Sequence, residues 1–226
     1  MPCAVYWLTM VGFDEAYNLQ IELVRRRRDG AIADTLLLLE HPPTITLGKS
    51  GKLENVLVPP ERLKKEGIAL CRTDRGGDVT YHGPKQLVGY PIINLRASQR
   101  SIHSYVYDLE EVLIRTLESF GIKASRDDGH PGVWVERQEI AAIGLAIKHG
   151  ISMHGLALNV NPNLEHFSFI NPCGFSDRKA TSMARLLGHE LRVETVAETL
   201  VGHFADVLKV RVEWSSNALL MSHPNI

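Results

Sequence analysis

The stretch "GVWVERQEIAAIGLAIKHGISMHGLALNV", residues 132–160, decides the fold. It is rich in β-branched and other apolar residues and is interrupted by Gly144, Gly150 and Gly155. Short apolar runs separated by glycine turns are typical of successive antiparallel strands. We therefore expect a β-meander in this part of the chain.

Strands and helices alternate upstream of the meander without a strict βαβ period. The run Leu36–Leu39 in "DTLLLLEHPPTITLG" predicts a strand buried on both faces. "DEAYNLQIELVRRRR", residues 14–28, predicts a helix with Asp14 as its N-cap, and "SIHSYVYDLEEVLIRTLESFG" predicts a second helix capped by Ser101. Between them, residues 75–85 form a glycine-rich loop.

The last third of the chain predicts two amphipathic helices, "RKATSMARLLGHE" and "VETVAETLVGHFADVLKV". The combined pattern indicates the α/β (α+β) class, with a mixed, mostly antiparallel sheet and helices packed against it. We expect residues 1–214 to form one domain and residues 215–226 to be a flexible C-terminal tail.

Composition excludes several classes of function. The 226 residues carry a formal net charge of -1, so overall electrostatics predict neither a nucleic-acid partner nor a membrane. Three cysteines without CxxC spacing and ten scattered histidines predict no disulfide framework and no metal site. We expect a cytoplasmic protein without a cofactor.

Three glycine-punctuated segments carry polar residues that suit a ligand site: Arg75–His82, Glu139–Gly144 and Ser152–Val160. Paired glycines let a backbone approach a ligand closely. The alternative for the first segment is a wide hairpin, and a histidine such as His82 or His154 is often only a hydrogen-bonded packing residue. The first segment is neither a P-loop nor a dinucleotide fingerprint.

Cys173 lies in "FSFINPCGFSDRK", after Asn171 and Pro172 and before Gly174. Its residue context leaves two interpretations open. It is either a small hydrophobic residue of the core or an accessible nucleophile on a turn.

Taken together, the segments resemble a known family. "LLLLEHPPTITLGK", "RGGDVTYHGPKQLVGYPI", "AAIGLAIKHGISMHGLALNVN" and "INPCG" are similar to the lipoyl(octanoyl) transferases, the octanoyl-[acyl-carrier-protein]:protein N-octanoyltransferases. The resemblance runs from about Leu36 to Met183.

The resemblance implies the catalytic fold of biotin and lipoate protein ligases for the 1–214 domain. It implies transfer of an octanoyl group from acyl carrier protein to a lysine of a lipoyl domain, the first step of protein lipoylation. Acceptors would be the E2 subunits of 2-oxoacid dehydrogenases and the glycine cleavage H protein. Cys173 would form an acyl-thioester. The acyl group would be held by Arg75, Gly76, Gly77, Asp78, Val79, Thr80, Tyr81, His82, Ala142, Ile143, Gly144, Gly155, Leu156 and Ala157.

One position departs from the family. Where the family carries a lysine that lowers the pKa of the cysteine, this chain has Glu139. A carboxylate would destabilise a thiolate, although it could accept a proton from the incoming lysine. Lys148 lies in the following hairpin and is not a substitute.

Glu139 leaves three interpretations. The chain is an impaired transferase, or His82 or His154 acts as the base, or the chain binds an acyl group or its carrier without turnover. An ATP-dependent lipoate or biotin ligase is a further alternative, which Cys173 disfavours. The basic run Arg25–Arg28 is either a docking site for the acidic carrier or a solvated helix end.

Overall fold

The computed structural model describes residues 1–171 and 179–216. The strands, in chain order, are β1 Pro2–Met10, β2 Asp34–Glu40, β3 Thr44–Leu47, β4 Ala69–Arg72, β5 Val79–His82, β6 Gln86–Ile92, β7 Ser125–Asp127, β8 His130–Val135, β9 Gln138–Lys148, β10 Ile151–Asn159, β11 Lys179–Ala180 and β12 Arg211–Trp214. The helices are α1 Phe13–Arg28, α2 Pro60–Lys65, α3 Ile102–Ser119, α4 Met183–Leu187 and α5 Val193–Leu208. Leu53–Asn55 and Leu164–Phe169 form 3₁₀ turns.

One large mixed sheet organises these elements. Its order is β12-β1-β2-β6-β10-β9-β8-β7, with β11 attached to β9. The run from β2 through β6, β10, β9, β8 and β7 is antiparallel throughout, whereas β1 is parallel to both β2 and β12. The predicted mostly antiparallel sheet and the meander are confirmed. A second, three-stranded sheet has the order β4-β3-β5.

The leucines of β2 show how the sheet is buried on both faces. Leu36 and Leu38 belong to the cluster formed with α3 and α5, and Leu37 and Leu39 belong to the cluster formed with α1. All four are fully buried. The alternation follows from the two-residue period of a strand, and it confirms the prediction made from Leu36–Leu39.

Several local predictions were wrong. The cap of α1 is Gly12, and Asp14 lies inside the first turn, where its charge favours the positive end of the helix dipole. The predicted glycine-rich loop contains β5, because the β-favouring run Val79–His82 pairs with β3. The predicted helix from residue 178 starts only after Ser182, whose side chain caps α4.

The sequence analysis also missed β12, which pairs with β1. Ser215 still donates its backbone N–H to Val5, so hydrogen bonding to the sheet extends past the predicted boundary at 214. Residues 217–226 of the predicted tail lie outside the described residues.

Candidate functional site

A cavity of about 960 Å³ lies against β9 and β10. It brings together the three segments that the sequence singled out. The predicted site residues that line it are Arg75, Gly76, Gly77, Asp78, Val79, Thr80, His82, Glu139, Ala142, Ile143, Gly144, His154, Gly155, Leu156 and Ala157. Cys173 lies outside the described residues, and its role stays a prediction.

Tyr81 is the predicted site residue in the described chain that does not line the cavity. Because β5 alternates its side chains, Thr80 and His82 reach the cavity while the Tyr81 ring packs into the cluster of the small sheet. Its hydroxyl is 2.8 Å from Nδ1 of His166, and burial raises its pKa to about 12. Tyr81 therefore packs behind the residues that line the cavity.

Arg75 holds the glycine-rich segment in place. Its guanidinium donates to the carbonyl of Thr46 at 2.7 Å, to that of Asp78 at 2.9 Å and to that of Gly76 at 3.0 Å. Gly76 in turn donates its N–H to the carbonyl of Leu145 on β9 at 2.8 Å. A Cβ at Gly144 would lie 3.1 Å from the Gly76 carbonyl oxygen, so a larger residue there would require the glycine-rich segment to shift by a few tenths of an ångström.

Asp78 connects the glycine-rich segment to the residues that precede the cysteine. Its carboxylate accepts the N–H of Lys52 at 3.3 Å and the side-chain amide of Asn55 at 2.5 Å. Asn55 accepts the backbone N–H of Asn171 at 2.8 Å. The carboxylate thus fixes a short chain of contacts that ends at Asn171, which lines the cavity.

His82 is held as a neutral imidazole. Gln86 donates its side-chain amide to Asn159 at 2.9 Å and to the carbonyl of Tyr81, so its oxygen faces Nδ1 of His82 at 2.9 Å. Nδ1 therefore carries the proton. Burial lowers the pKa of His82 to about 3.

His154 is strained and bound to a carboxylate. Its φ is +58°, unusual for a residue other than glycine, and its N–H donates to Gln20 at 2.6 Å. Its Nε2 lies 2.8 Å from Asp74, whose other oxygen is 2.8 Å from Nζ of Lys148. Burial opposes the charge on Asp74, but hydrogen bonds from His154 and Lys148 outweigh it and lower the pKa of Asp74 to about 2. Burial lowers the pKa of His154, although Asp74 opposes this.

Glu139 and His154 lie at opposite ends of the cavity. His154 pairs with Leu145, six residues beyond Glu139 on β9, which corresponds to about 20 Å along the strand. At the Glu139 end, Thr181 donates its backbone N–H to the Glu139 carbonyl, and Lys179 and Ala180, which pair with Gln138 and Glu139, line the wall. This separation disfavours His154 as a base for chemistry beside Glu139.

The run Arg25–Arg28 does not border the cavity. Arg25 pairs with Glu22 at 2.6 Å, Arg27 with the buried Asp34 at 2.6 Å, and Arg28 with Asp29 at 2.8 Å. The run lies at the C-terminal end of α1, about 18 Å or more along the helix from Phe13, which does line the cavity. The geometry favours the solvated helix end over a docking site next to the cavity.

Sequence reasoning missed several aromatic residues of the site. Phe13, Tyr90 and Trp134 line the cavity, and the sequence analysis gave none of them a role in the site. No local motif identifies them. In residues 1–171 and 179–216 no helix is long and apolar enough to cross a membrane, and no three His, Cys, Asp or Glu side chains are grouped to hold a metal ion.

Known proteins share both the sequence and the fold. The family model of the lipoyl protein ligase A/B catalytic domain matches residues 13–205. An octanoyltransferase of Alkaliphilus metalliredigens is 49% identical over 196 residues, covering 86% of this chain and 90% of that protein. An octanoyltransferase of Caldicellulosiruptor bescii is 50% identical over 205 residues, covering 90% of each.

Solved structures show the same fold at low identity. A putative lipoate protein ligase from T. acidophilum superposes with a TM-score of 0.72 at 17% identity, covering 95% of this chain and 88% of that one. The biotin protein ligase of Aquifex aeolicus gives 0.55 at 13% identity, covering 91% and 70%. The predicted ligase-type fold is confirmed.

The buried histidines predict a pH-dependent stability. Burial lowers the pKa of His41 to about 4 and that of His82 to about 3. In the unfolded state both pKa values return to about 6.5, so the unfolded state binds protons at a higher pH than the folded state does. The free energy of unfolding therefore falls by roughly 1.4 kcal/mol per pH unit for each histidine as the pH drops below about 6.5. In His41→Gln we expect that slope to be smaller by roughly 1.4 kcal/mol per unit between about pH 6 and 4.5.

Denaturant unfolding at a series of pH values measures the slope. Glutamine can still bind the Val11 carbonyl and the Tyr90 hydroxyl that His41 contacts. His189→Gln, at an exposed position, is the control. Equal slopes in His41→Gln and the unmodified protein would contradict the prediction.

The contact between Asp78 and Asn55 predicts a reciprocal rescue. Asp78→Asn and Asn55→Asp each juxtapose like groups and should lower the free energy of unfolding by about 1–2 kcal/mol. The double variant Asp78→Asn/Asn55→Asp exchanges the carboxylate and the amide, and we expect it to recover most of that loss. Denaturant unfolding of all four proteins gives the coupling energy. Simple addition of the two single losses would show that the contact is not formed.

Proposed function

The chain belongs to the lipoyl protein ligase A/B catalytic-domain family and, within it, to the octanoyltransferases, and on this premise we propose that Cys173 carries the octanoyl group from acyl carrier protein to a lipoyl domain. The observation that carries the proposal is the single cavity that joins the three predicted segments. The acceptors we propose are lipoyl domains of E2 subunits and the glycine cleavage H protein.

The proposed reaction has two acyl transfers. The Cys173 thiolate attacks the carrier thioester, forming a new thioester and releasing the carrier thiolate, which takes up the proton that Cys173 had lost. The neutral lysine amine then attacks the new thioester, forming an amide and breaking the bond to sulfur, and the proton lost by the amine reaches the departing Cys173 thiolate through a base or through solvent. Cysteine suits both steps because it is a good nucleophile and a good leaving group.

Two features of the described chain support Cys173 as the nucleophile. Asn171, two residues before Cys173 in the sequence, lines the cavity. The other two thiols are poorly suited. Burial and then Asp34 raise the pKa of Cys3 to about 12, and burial followed by Asp14 raises the pKa of Cys71.

The wall suits a saturated chain. Ala142, Gly144, Gly155 and Ala157 contribute little side-chain volume, which leaves an apolar slot along β9 and β10. Burying the methylenes of an octanoyl chain would contribute roughly 5 kcal/mol. The Arg75 guanidinium donates hydrogen bonds to backbone carbonyl groups, so its charge stabilises the glycine-rich segment.

Glu139 remains the position that bears on the rate. Its carboxylate opposes thiolate formation in the first step and is a possible proton acceptor in the second. His82 and His154 are disfavoured as bases, since His82 holds a pKa of about 3 and His154 lies at the other end of the strand. An acyl-binding protein without turnover is the second candidate, because Glu139 stands where the octanoyltransferases have a lysine.

Intact-protein mass tests the nucleophile. After incubation with octanoyl-carrier protein, we expect a hydroxylamine-sensitive octanoyl adduct that is absent in Cys173→Ala and passes to an apo lipoyl domain. The matched control is Cys71→Ala, which should keep the adduct. An adduct that persists in Cys173→Ala would overturn the role of Cys173. Binding without an adduct would favour the acyl-binding protein, and transfer that requires ATP would indicate a ligase.

The charge at position 139 predicts the rate of the first step. Glu139→Lys should raise acyl transfer by about an order of magnitude or more, because an ammonium near the thiol increases the thiolate fraction. Gln138→Lys is the control, since it adds the same charge one residue earlier, where strand alternation directs the side chain to the other face. Single-turnover adduct formation gives the rate. An unchanged or lower rate in Glu139→Lys would remove the electrostatic argument.

A further inference from the structure

We propose that two exposed cations at the opening of the cavity, Lys179 and Arg185, dock the acidic surface of the acyl carrier protein. The proposal rests on the acyl-transfer function proposed above, and it assigns the charges that meet the donor. Both residues line the cavity, whereas the basic run Arg25–Arg28 does not border it.

Both cations lie at the Glu139 end of the cavity. Lys179 pairs with Gln138, which precedes Glu139 on β9. Arg185 belongs to α4, and the residue before it donates its backbone N–H to the carbonyl of Val160, directly after β10. In the antiparallel pairing, this end of β10 lies beside the start of β9. Two separate elements thus bring their positive charges to the same end of the cavity.

The side chains of Lys179 and Arg185 are available to a partner. Both residues are exposed, and neither forms an ion pair with any residue that the structure describes. Arg25 and Arg28 are also exposed, but each is paired with a neighbouring carboxylate. The two cations at the opening therefore keep their charge uncompensated by the protein itself.

The exposed charges at the opening have one sign. Among the described residues that line the cavity, Lys179 and Arg185 are the charged ones that are exposed. Asp78 and Glu139 also line it, but both are only partly exposed, and the carboxylate of Asp78 is bound by Asn55. The whole chain has a net charge of -1, so this positive opening is a local feature. A local field of this kind attracts and orients an anionic surface.

Apolar side chains complete the opening. Leu57 is 57% exposed and Ile102 is 55% exposed, although both line the cavity. We call Leu57, Ile102, Lys179 and Arg185 the rim. A rim of apolar groups and unpaired cations complements a partner surface that carries carboxylates around apolar residues. The acidic carrier has this chemistry, and its surface comes against the rim when its thioester enters the cavity.

Carrier binding without turnover tests the proposal. Calorimetry in a Cys173→Ala background would measure the Kd for holo-acyl carrier protein with and without Lys179→Glu/Arg185→Glu. We expect the reversal to raise the Kd by about tenfold or more at low ionic strength, and we expect the difference to shrink as salt screens the exposed charges. Lys179→Gln/Arg185→Gln should give a smaller change in the same direction and serves if the reversal does not fold. Lys179→Arg/Arg185→Lys keeps both charges and should keep the affinity.

The matched control is Arg25→Glu/Arg28→Glu, which makes the same change in net charge at exposed positions away from the cavity. We expect it to leave the Kd for the carrier unchanged. An equal rise in Kd would overturn the proposal, because the overall charge of the protein would then explain it. An unchanged Kd in Lys179→Glu/Arg185→Glu would overturn it as well. A loss of affinity for an apo lipoyl domain alone would assign the rim to the acceptor and contradict carrier docking.

A small thioester separates docking from chemistry. Octanoyl-N-acetylcysteamine carries the same acyl group without an acidic protein. We expect Lys179→Glu/Arg185→Glu to lower kcat/KM for octanoyl-carrier protein by about tenfold more than kcat/KM for the small thioester. Equal losses would place the two cations in the acylation chemistry and overturn the docking role. The calorimetric result needs no acylation, so it decides the docking even if the proposed transfer fails.

Discussion

The site depends on the buried guanidinium of Arg75, which joins the two sheets. It binds carbonyl groups of β3 and of its own glycine-rich segment, and the neighbouring Gly76 is hydrogen-bonded to β9. Burying a guanidinium is costly unless acceptors such as these carbonyl groups satisfy it. The cation therefore shapes the cavity by holding the backbone around it. A purely apolar residue could not satisfy several carbonyls from one position.

Features set by neighbouring residues could be predicted from the sequence, whereas features set by contacts between distant residues could not. The continuous apolar run Leu36–Leu39 and the glycine-separated apolar runs of the meander are local signals, so the sequence was sufficient to predict the sheet. The glycine-punctuated segments converge on one cavity. Which side of a strand each residue faces depends on register with distant partners. This is why Tyr81 was placed with the ligand-binding residues although it faces the small sheet. Phe13 and Tyr90 line the same cavity although they lie far apart in the chain, and no local sequence pattern predicts that such distant residues come together.

Glu139 and the two candidate histidines lie in different parts of the cavity. Glu139 lies at one end of β9, while His154 and the neutral His82 lie near the other. A strand is a rigid spacer, so two groups on it keep their separation whatever their side chains do. The histidines, which sequence reasoning placed among the candidate bases, consequently belong to the wall. His154 retains a left-handed backbone conformation there because Asp74 and Gln20 bind its ring and its N–H.

The pairing of β1 with β12 has a consequence for synthesis of the protein. Pro2 is in register with Arg211, so β1 receives its outer neighbour only after all the strands and helices between β1 and β12 have been made. Until then β1, nine residues long and carrying buried apolar side chains, is an unprotected edge of the nascent sheet. Contacts between such distant segments form slowly, and an open edge can pair with another chain during that interval. The order of the strands thus leaves β1 without its outer neighbour through most of the synthesis of this domain.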